Sequence, residues 1–442
     1  MAMSILRLDS KNKTTERNIA MNKCKVVRQN DQFKLFLDPA LLEGGFDVTR
    51  LIQEMQLELR ALGVSAGTVL MQKLIEAEAK HLVGERYGRE SEYYTWGKQC
   101  GYVVSGGQKV RIEHPRVRRG RGKGKEVPLQ SYRRFQDDDA RTQAVFSRML
   151  ANVSCRNYPK AVETMQAGYG ISKSVVSREV VEATGKELDA LCHRRLDAIE
   201  LAVLIIDGIA LDDSVFIAAL GVDTQGVKHL LGFVEGATET AEVCIALLDN
   251  LRDRGLPMNR PVLAILDGAK GLSTAVRRSF GKWAHIQRCQ EHKIRNVKSH
   301  LPKKYHEQID HKLRAAYGMK LYDDAHDALK SLGRELEYLN DSAARSLGEG
   351  LEETLTIHRL GLPEVLRRSF ATTNILESGY SRSRSTMHNV KRWRNSQHKA
   401  RWIATALLEA ERSFRRIKGY RSMSVLVSAL EEHTENVLQQ AA

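Results

Sequence analysis

The chain has 442 residues, with 69 Lys and Arg against 54 Asp and Glu, and carries a formal net charge of +15. Hydrophobic residues at 42% and charged residues at 28% fit a globular chain of several domains and argue against a disordered or membrane-spanning one. The surplus of base favours a polyanionic partner, with nucleic acid the first candidate.

The opening MAMSILRLDSKNK lacks the apolar core of an export signal. The longest apolar runs, such as 201–206 (LAVLII), are too short to span a bilayer. Cysteines at 24, 100, 155, 192, 244 and 289 form no CxxC pair, the usage of a reduced, cytoplasmic protein with no membrane partner.

In chain order, residues 1–47 are polar and mixed in charge and read as a flexible N-terminal arm. Residues 48–138 begin with helical spacing at Leu51, Met55, Leu59 and Leu62, then at Val69, Leu70, Leu74 and Ala77. This predicts two helices punctuated by Gly63 and Gly67. A β-hairpin is expected over 102–112 around Gly106-Gly107. The stretch 116–125 (RVRRGRGKGK) has no acid, so Arg116, Arg118, Arg119 and Arg121 are candidate phosphate contacts on a flexible loop. A merely solvated loop is the alternative.

Residues 139–199 read as a helical DNA-binding region. Within it, 158–183 (YPKAVETMQAGYGISKSVVSREVVEA) has the layout of a helix-turn-helix, with a helix ending near Gly168, a turn at Gly170 and a second helix opened by Ser172. Lys173, Ser174, Ser177 and Arg178 would then face the major groove. An ordinary helical hairpin is the alternative.

From residue 200 to 292 the pattern alternates. Strands are expected at 201–206, 215–222 and 227–234, a helix at 240–251, a strand at 262–266, a helix at 272–280 and a strand at 283–287. This βββαβαβ order gives a mixed five-stranded sheet in which the first and fourth strands are neighbours. Each of the two ends in an acid followed by glycine, Asp207-Gly208 and Asp267-Gly268. Two adjacent carboxylates repel unless a divalent cation lies between them, and hard oxygen donors select Mg²⁺, with Mn²⁺ as a substitute.

Residues 293–370 read as a helical insertion, and 371–442 as a glutamate-bearing helix followed by basic C-terminal helices. Glu377 is the leading candidate for a third acid, with Glu352, Glu353 and Glu364 as rivals. Behind it, 381–401 holds no acid but carries Arg382, Arg384, Lys391, Arg392, Arg394, Lys399 and Arg401, candidates to face a phosphate backbone. Cys289-x₂-His292 lacks the second ligand pair of a zinc site, so a structural or DNA-positioning role is preferred, with a buried thiol as the alternative. Trp393 and Trp402 are candidates for base stacking, and Trp402 for core packing with Ile403, Ala406 and Leu407.

The segments LIIDG, ALGVDTQGVKHLLGF, LAILDGAKGL, QRCQEHKIRNV and TTNILESGYSRSR resemble bacterial insertion-sequence transposases of the Mutator-like group. The likeness runs from about 102 to 420 and is densest over 201–400. It implies an α/β fold with a ribonuclease H-like core, an all-α insertion, and preceding helical and helix-turn-helix DNA-binding regions. It also implies Asp207, Asp267 and Glu377 as catalytic metal ligands for Mg²⁺ without an organic cofactor, and Cys289 and His292 as a CxxH signature. The expected activity is binding of terminal inverted repeats followed by metal-dependent strand cleavage and transfer into target DNA. The expected partners are double-stranded DNA and at least one further copy of the chain, in the bacterial cytoplasm at the nucleoid. A catalytically inactive DNA-binding regulator and a nuclease on the same core are the alternatives.

Overall fold

The structure is a computed structural model that describes residues 24–29, 32–37, 48–84, 92–120, 124–151, 153–155, 157–161, 168–236, 240–387, 390 and 392–441. Two compact units emerge, Met1–Arg148 with Cys155–Ser177, and Met149–Ser154 with Arg178–Ala442. No helix among the described residues is long and apolar enough to cross a membrane.

In the first unit, β1 (Cys24–Gln29) and β2 (Gln32–Leu37) pair antiparallel, so part of the stretch expected as an arm is a strand pair. Helix α1 (Val48–Val83) is one continuous helix of 36 residues, where the sequence suggested two. Gly63 and Gly67 lie inside it with open space around both. Each costs about 1 kcal/mol of helix propensity, but the buried face of Ile75 and Ala79 holds the helix against Val103, Val110, Ile112 and Val117 of the sheet.

That sheet is built on the hairpin of β3 (Tyr93–Ser105) and β4 (Gln108–Arg119). Its turn is Gly106-Gly107, with φ of 62° and 82°. A two-residue turn that follows the strand twist needs positive φ at both positions, which glycine adopts without strain. Strand β5 (Lys125–Val127) pairs with β4. Helices α2 (Gln130–Phe135), α3 (Asp138–Leu150) and α4 (Tyr158–Ala161) follow.

The region expected to be wholly helical is interrupted by strand β6 (Gly168–Tyr169), whose backbone pairs with Val110 and Lys109 of β4. The predicted helix ending near Gly168 is therefore corrected at its end, and residues 162–167 lie outside the described residues. The second helix, α5 (Lys173–His193), starts where Ser172 indicated.

The second unit holds β7 (Leu201–Leu211), β8 (Ser214–Asp223), β9 (Lys228–Gly236), α6 (Ala241–Asp253), β10 (Val262–Leu266), α7 (Lys270–Phe280) and β11 (Ala284–Arg288). The strand order is β11-β10-β7-β8-β9, with β7 to β9 antiparallel and β10 parallel to both β7 and β11. This is the βββαβαβ arrangement and mixed five-stranded sheet expected from the sequence. Strand β7 does not stop at Asp207, because β8 goes on pairing with it, from Asp207 opposite Ala218 to Leu211 opposite Ser214. Helices α6 and α7 close the core through Leu247, Leu248, Leu251, Leu272 and Val276, packed with Leu204, Ile206 and Ala264. Each such fully buried aliphatic side chain contributes about 1.5–3 kcal/mol.

Beyond the sheet come α8 (Gln290–Ser299), α9 (Lys303–Gly318), α10 (Tyr322–Leu339), α11 (Asp341–Gly348), α12 (Leu351–Thr354), α13 (Thr356–Arg359) and α14 (Glu364–Phe370). Ile309, Leu313, Leu329 and Leu336 give this helical stretch a core of its own. The chain then forms α15 (Asn374–Met387), α16 (Ser396–Arg412) and α17 (Met423–Ala441).

Candidate functional site

Parallel pairing ends with Leu266 opposite Ile206, so Asp207 and Asp267 each follow the last paired residue of adjacent strands. The Asp207 residue is buried, 6% exposed. Strand β11 ends beside the same edge, where the Cys289 N–H donates to Leu266 O at 2.7 Å and Cys289 opens helix α8. One helical turn later His292 reaches toward the acids.

Helix α15 brings the third element. Thr373 is fully buried just before it, and its carbonyl accepts the N–H groups of Leu376 and Glu377 at 2.8 and 3.1 Å. The Thr373 hydroxyl donates to Cys289 Sγ at 3.6 Å and lies near enough to the Asp207 carboxyl to hold its pKa down. Tyr380, one turn further on, donates its hydroxyl to Asp207 O at 3.4 Å. Glu377 Oε1 is thereby placed 3.8 Å from His292 Nε2.

The ligand atoms of Asp207, His292 and Glu377 all lie within 4.8 Å of one another. Asp267 is not part of this group, and its carboxylate accepts the Ala269 N–H at 2.8 Å. Of the three acids singled out from sequence, the structure thus gathers Asp207 and Glu377 around His292, with Asp267 in the neighbouring register position.

Burial pushes the Asp207 carboxyl up to about 6, against the opposing effects of His292 and the Thr373 hydroxyl, and with reinforcement from the Asp267 charge. His292 is pushed up to about 9, first by the neighbouring Cys289 sulfur and against burial, with the Asp207 and Asp267 charges also raising it. Burial raises the Cys289 thiol, but its bonds with His292 and Thr373 outweigh this and leave it below its ordinary value. A buried carboxylate with a second carboxylate within 4.8 Å and a third at the adjoining strand end is a donor set that a hard divalent cation fits, and its charge would offset the cost of ionising Asp207.

The rival acids are engaged elsewhere. Glu352 bonds to Tyr322 and His326, Glu353 to Arg277 and Arg288, and Glu364 to Arg368.

The candidate DNA contacts divide. Arg116 to Arg119 belong to strand β4 rather than to a loop. Arg116 is paired with Glu126 at 2.6 Å and Arg119 with Glu92 at 2.7 Å, while Arg118 lies over the Trp96 ring at 4.5 Å. The run is acid-free only along the chain, since cross-strand neighbours supply the acids. Arg121 lies outside the described residues. On α5, Lys173, Ser174 and Arg178 are exposed and Ser177 is half-buried.

Arg382 and Arg384 sit on α15, with side chains outside the described set, and Lys391 lies outside it altogether. Arg392 and Arg394 are exposed. Lys399 is buried and pairs with Asp213, which gives it a structural tie between α16 and the β7–β8 turn. Trp402 is buried among the α16 core residues, and Trp393 is half-buried.

Sequence reasoning missed Thr373 and Tyr380, and it left His292 without a place beside the acids. The spacing of Thr373 four residues before Glu377, and of Tyr380 three after it, puts all three on or at the head of one helix.

Comparison with known proteins adds an independent finding. The model of the family described as Transposase, Mutator family, matches residues 52–416. The transposase for insertion sequence element ISRM5 of Rhizobium meliloti (strain 1021) is 24% identical over 385 residues, covering 84% of this chain and 92% of that protein. The transposase for IS6120 of Mycolicibacterium smegmatis is 30% identical over 239 residues, covering 52% and 72%. The transposase for IS256 in transposon Tn4001 of Staphylococcus aureus is 28% identical over 237 residues, covering 50% and 58%.

Proposed function

On the premise that the chain belongs to the Mutator family of transposases, we propose that it cuts DNA at the terminal inverted repeats of an insertion sequence and joins the freed ends to target DNA. The proposed catalytic centre is Asp207, Asp267 and Glu377 on a ribonuclease H-like core. The observation that carries this reading is the convergence of Asp207 and Glu377, from β7 and α15, into one cluster beside the strand end that bears Asp267.

In this reading Asp207, Glu377 and Asp267 supply carboxylate oxygens to divalent ions. When bound, such ions activate the attacking oxygen of water or of a 3′-hydroxyl and stabilise the leaving oxygen of an in-line displacement. Asp207 contributes from a buried strand, so its position is fixed before DNA arrives. Thr373 and Tyr380 hold that strand and α15 together. His292 stands beside the two clustered acids, its Nε2 3.8 Å from Glu377 Oε1, and positions the Glu377 carboxylate at the centre. Exposed Lys173, Ser174 and Arg178 on α5, and Arg392 and Arg394 after α15, are the proposed DNA contacts in their respective units. Bringing two element ends together requires at least two copies of the chain.

The test is to incubate the purified protein with Mg²⁺, a duplex carrying an element end and a target plasmid. Cleaved ends joined to the plasmid support the proposal. Cleavage without joining would instead identify a nuclease, and binding without cleavage a DNA-binding regulator.

A further inference from the structure

A second feature lies on the flank of the helix that carries Glu377. Lys228 at the start of β9, Arg368 on α14 and Lys418 before α17 line a cleft of about 920 Å³ that also takes in Thr372, Asn374 and Ser378 at the head of α15. Pro363, Ile375 and Ile417 give it apolar walls, and Glu364 is its one acid.

The cleft is held by backbone ties. The Ser369 hydroxyl contacts Lys418 O and Val365 O, each at 2.9 Å, and the Ile417 N–H donates to Gly226 O at 3.0 Å. Gly226 has φ of 75°, and a Cβ there would fall 2.6 Å from Tyr420 Cβ, so a side chain is excluded where the β8–β9 turn meets the segment after α16. The backbone positions from which Lys228 and Lys418 reach into the cleft are therefore set by the fold.

We propose that this cleft holds the sugar–phosphate backbone of the DNA strand adjoining the reacting phosphate. The inference rests on the reading of the chain as a DNA-cutting transposase and adds a backbone subsite to it. Three cations against one acid match a polyanion, and the apolar walls match deoxyribose faces. Successive helix positions turn by about 100°, so Asn374 and Ser378 face the cleft while Glu377 faces Asp207 about a quarter-turn away. Thr373 and its neighbours divide in the same way, with Thr373 buried against Asp207 and Thr372 and Asn374 on the cleft side. A strand that passes over the head of α15 thus meets the acids on one side and the cations on the other.

Glu364 pairs with Arg368 at 2.5 Å, with side chains 65% and 80% exposed. Pairs that open to solvent are weak and screened by salt, so a phosphate can displace Glu364 from Arg368. Glu364 then acts as a brake on binding.

Backbone contacts are independent of sequence, so the probe is a fluorescein-labelled duplex of arbitrary sequence, titrated with the full-length protein over a range of salt. Each phosphate contact contributes about 0.9 to the slope of log K against log salt. Arg368→Gln combined with Lys418→Gln is expected to reduce that slope by about 2, and Glu364→Gln to tighten binding at low salt. All three positions are exposed, so the variants are expected to keep the parent's thermal midpoint and circular dichroism. An unchanged slope in the folded double variant overturns the proposal, as does unchanged affinity in Glu364→Gln. Cleavage is not read, so a chain that cannot cut DNA still passes if the cleft is occupied, and one that cuts DNA with the cleft empty fails.

Discussion

Acidification should loosen the C-terminal helix from the sheet through one histidine. His285 lies on β11, an edge strand of the five-stranded sheet, and its Nε2 is 2.7 Å from Thr434 Oγ1 on α17. The Thr434 hydroxyl donates to Leu430 O at 2.7 Å, so it accepts from His285 and fixes the neutral ring with its proton on Nε2. Adding a second proton places a charge in the interior, facing the His433 ring at 5.3 Å and Arg359. Burial, then His433 and Arg359, push His285 down to about 4 from its usual 6.5.

Above pH 6.5 the ring is neutral in both folded and unfolded chains. Between 6.5 and 4 the unfolded chain takes up the proton first, so stability falls as pH falls through that window. The gap between 6.5 and about 4 corresponds to about 3 kcal/mol at the limit and about 2 kcal/mol at pH 5. Urea unfolding at about pH 7.5 and about pH 5 measures it, with His285→Gln as the comparison, because the Gln amide N–H preserves donation to Thr434. The variant should lose about 2 kcal/mol less than the parent on acidification. Equal losses in the two proteins would refute the reasoning.

Other consequences follow from the same geometry. Glu411 on α16 accepts both terminal nitrogens of Arg194 at 2.9 Å and the Leu230 N–H of β9 at 2.7 Å. Glu411→Ala takes the partner from the Leu230 N–H and leaves Arg194 only the Leu230 carbonyl, and should cost about 2 kcal/mol, seen as a lower thermal midpoint. Thr373→Val keeps the side-chain shape but removes the hydroxyl beside Asp207. A lost hydrogen bond to a charged group is worth about 1.5–3 kcal/mol, so single-turnover cleavage should fall by about tenfold to a hundredfold, and Thr373→Ser should restore most of it. Equal rates for Thr373→Val and the parent would remove Thr373 from the positioning of Asp207.

The parts of the fold visible in the sequence were those whose signal is local. Unbroken apolar runs such as 201–206 and 262–266 mark strands buried on both faces, and Thr240 marks the start of α6 by capping the Val243 N–H. The adjacency of the strands that lead into Asp207 and Asp267 followed from strand order alone. What escaped depended on contacts distant in sequence. Gly63 and Gly67 look like helix breaks until the sheet beneath α1 holds the helix together. Gly168 and Tyr169 became a strand because β4 offered its edge. Arg116 and Arg119 are neutralised by Glu126 and Glu92 across strands, and Lys399 is drawn inward by Asp213. His292 gave a spacing but no direction, and only the junction of β11 with α8 aims it at Asp207 and Glu377.

The most direct test of the central claim is single-turnover cleavage of end-bearing duplex by Asp207→Asn, Asp267→Asn and Glu377→Gln proteins, each first shown to bind that duplex as tightly as the parent. Each substitution removes the charge of one carboxylate while keeping side-chain size. The account predicts that Mg²⁺-dependent cleavage is lost in all three while binding persists. Cleavage at the parent's rate by Asp207→Asn or Glu377→Gln would contradict the proposed centre, and cleavage at that rate by Asp267→Asn alone would leave the two clustered acids and take Asp267 out of it.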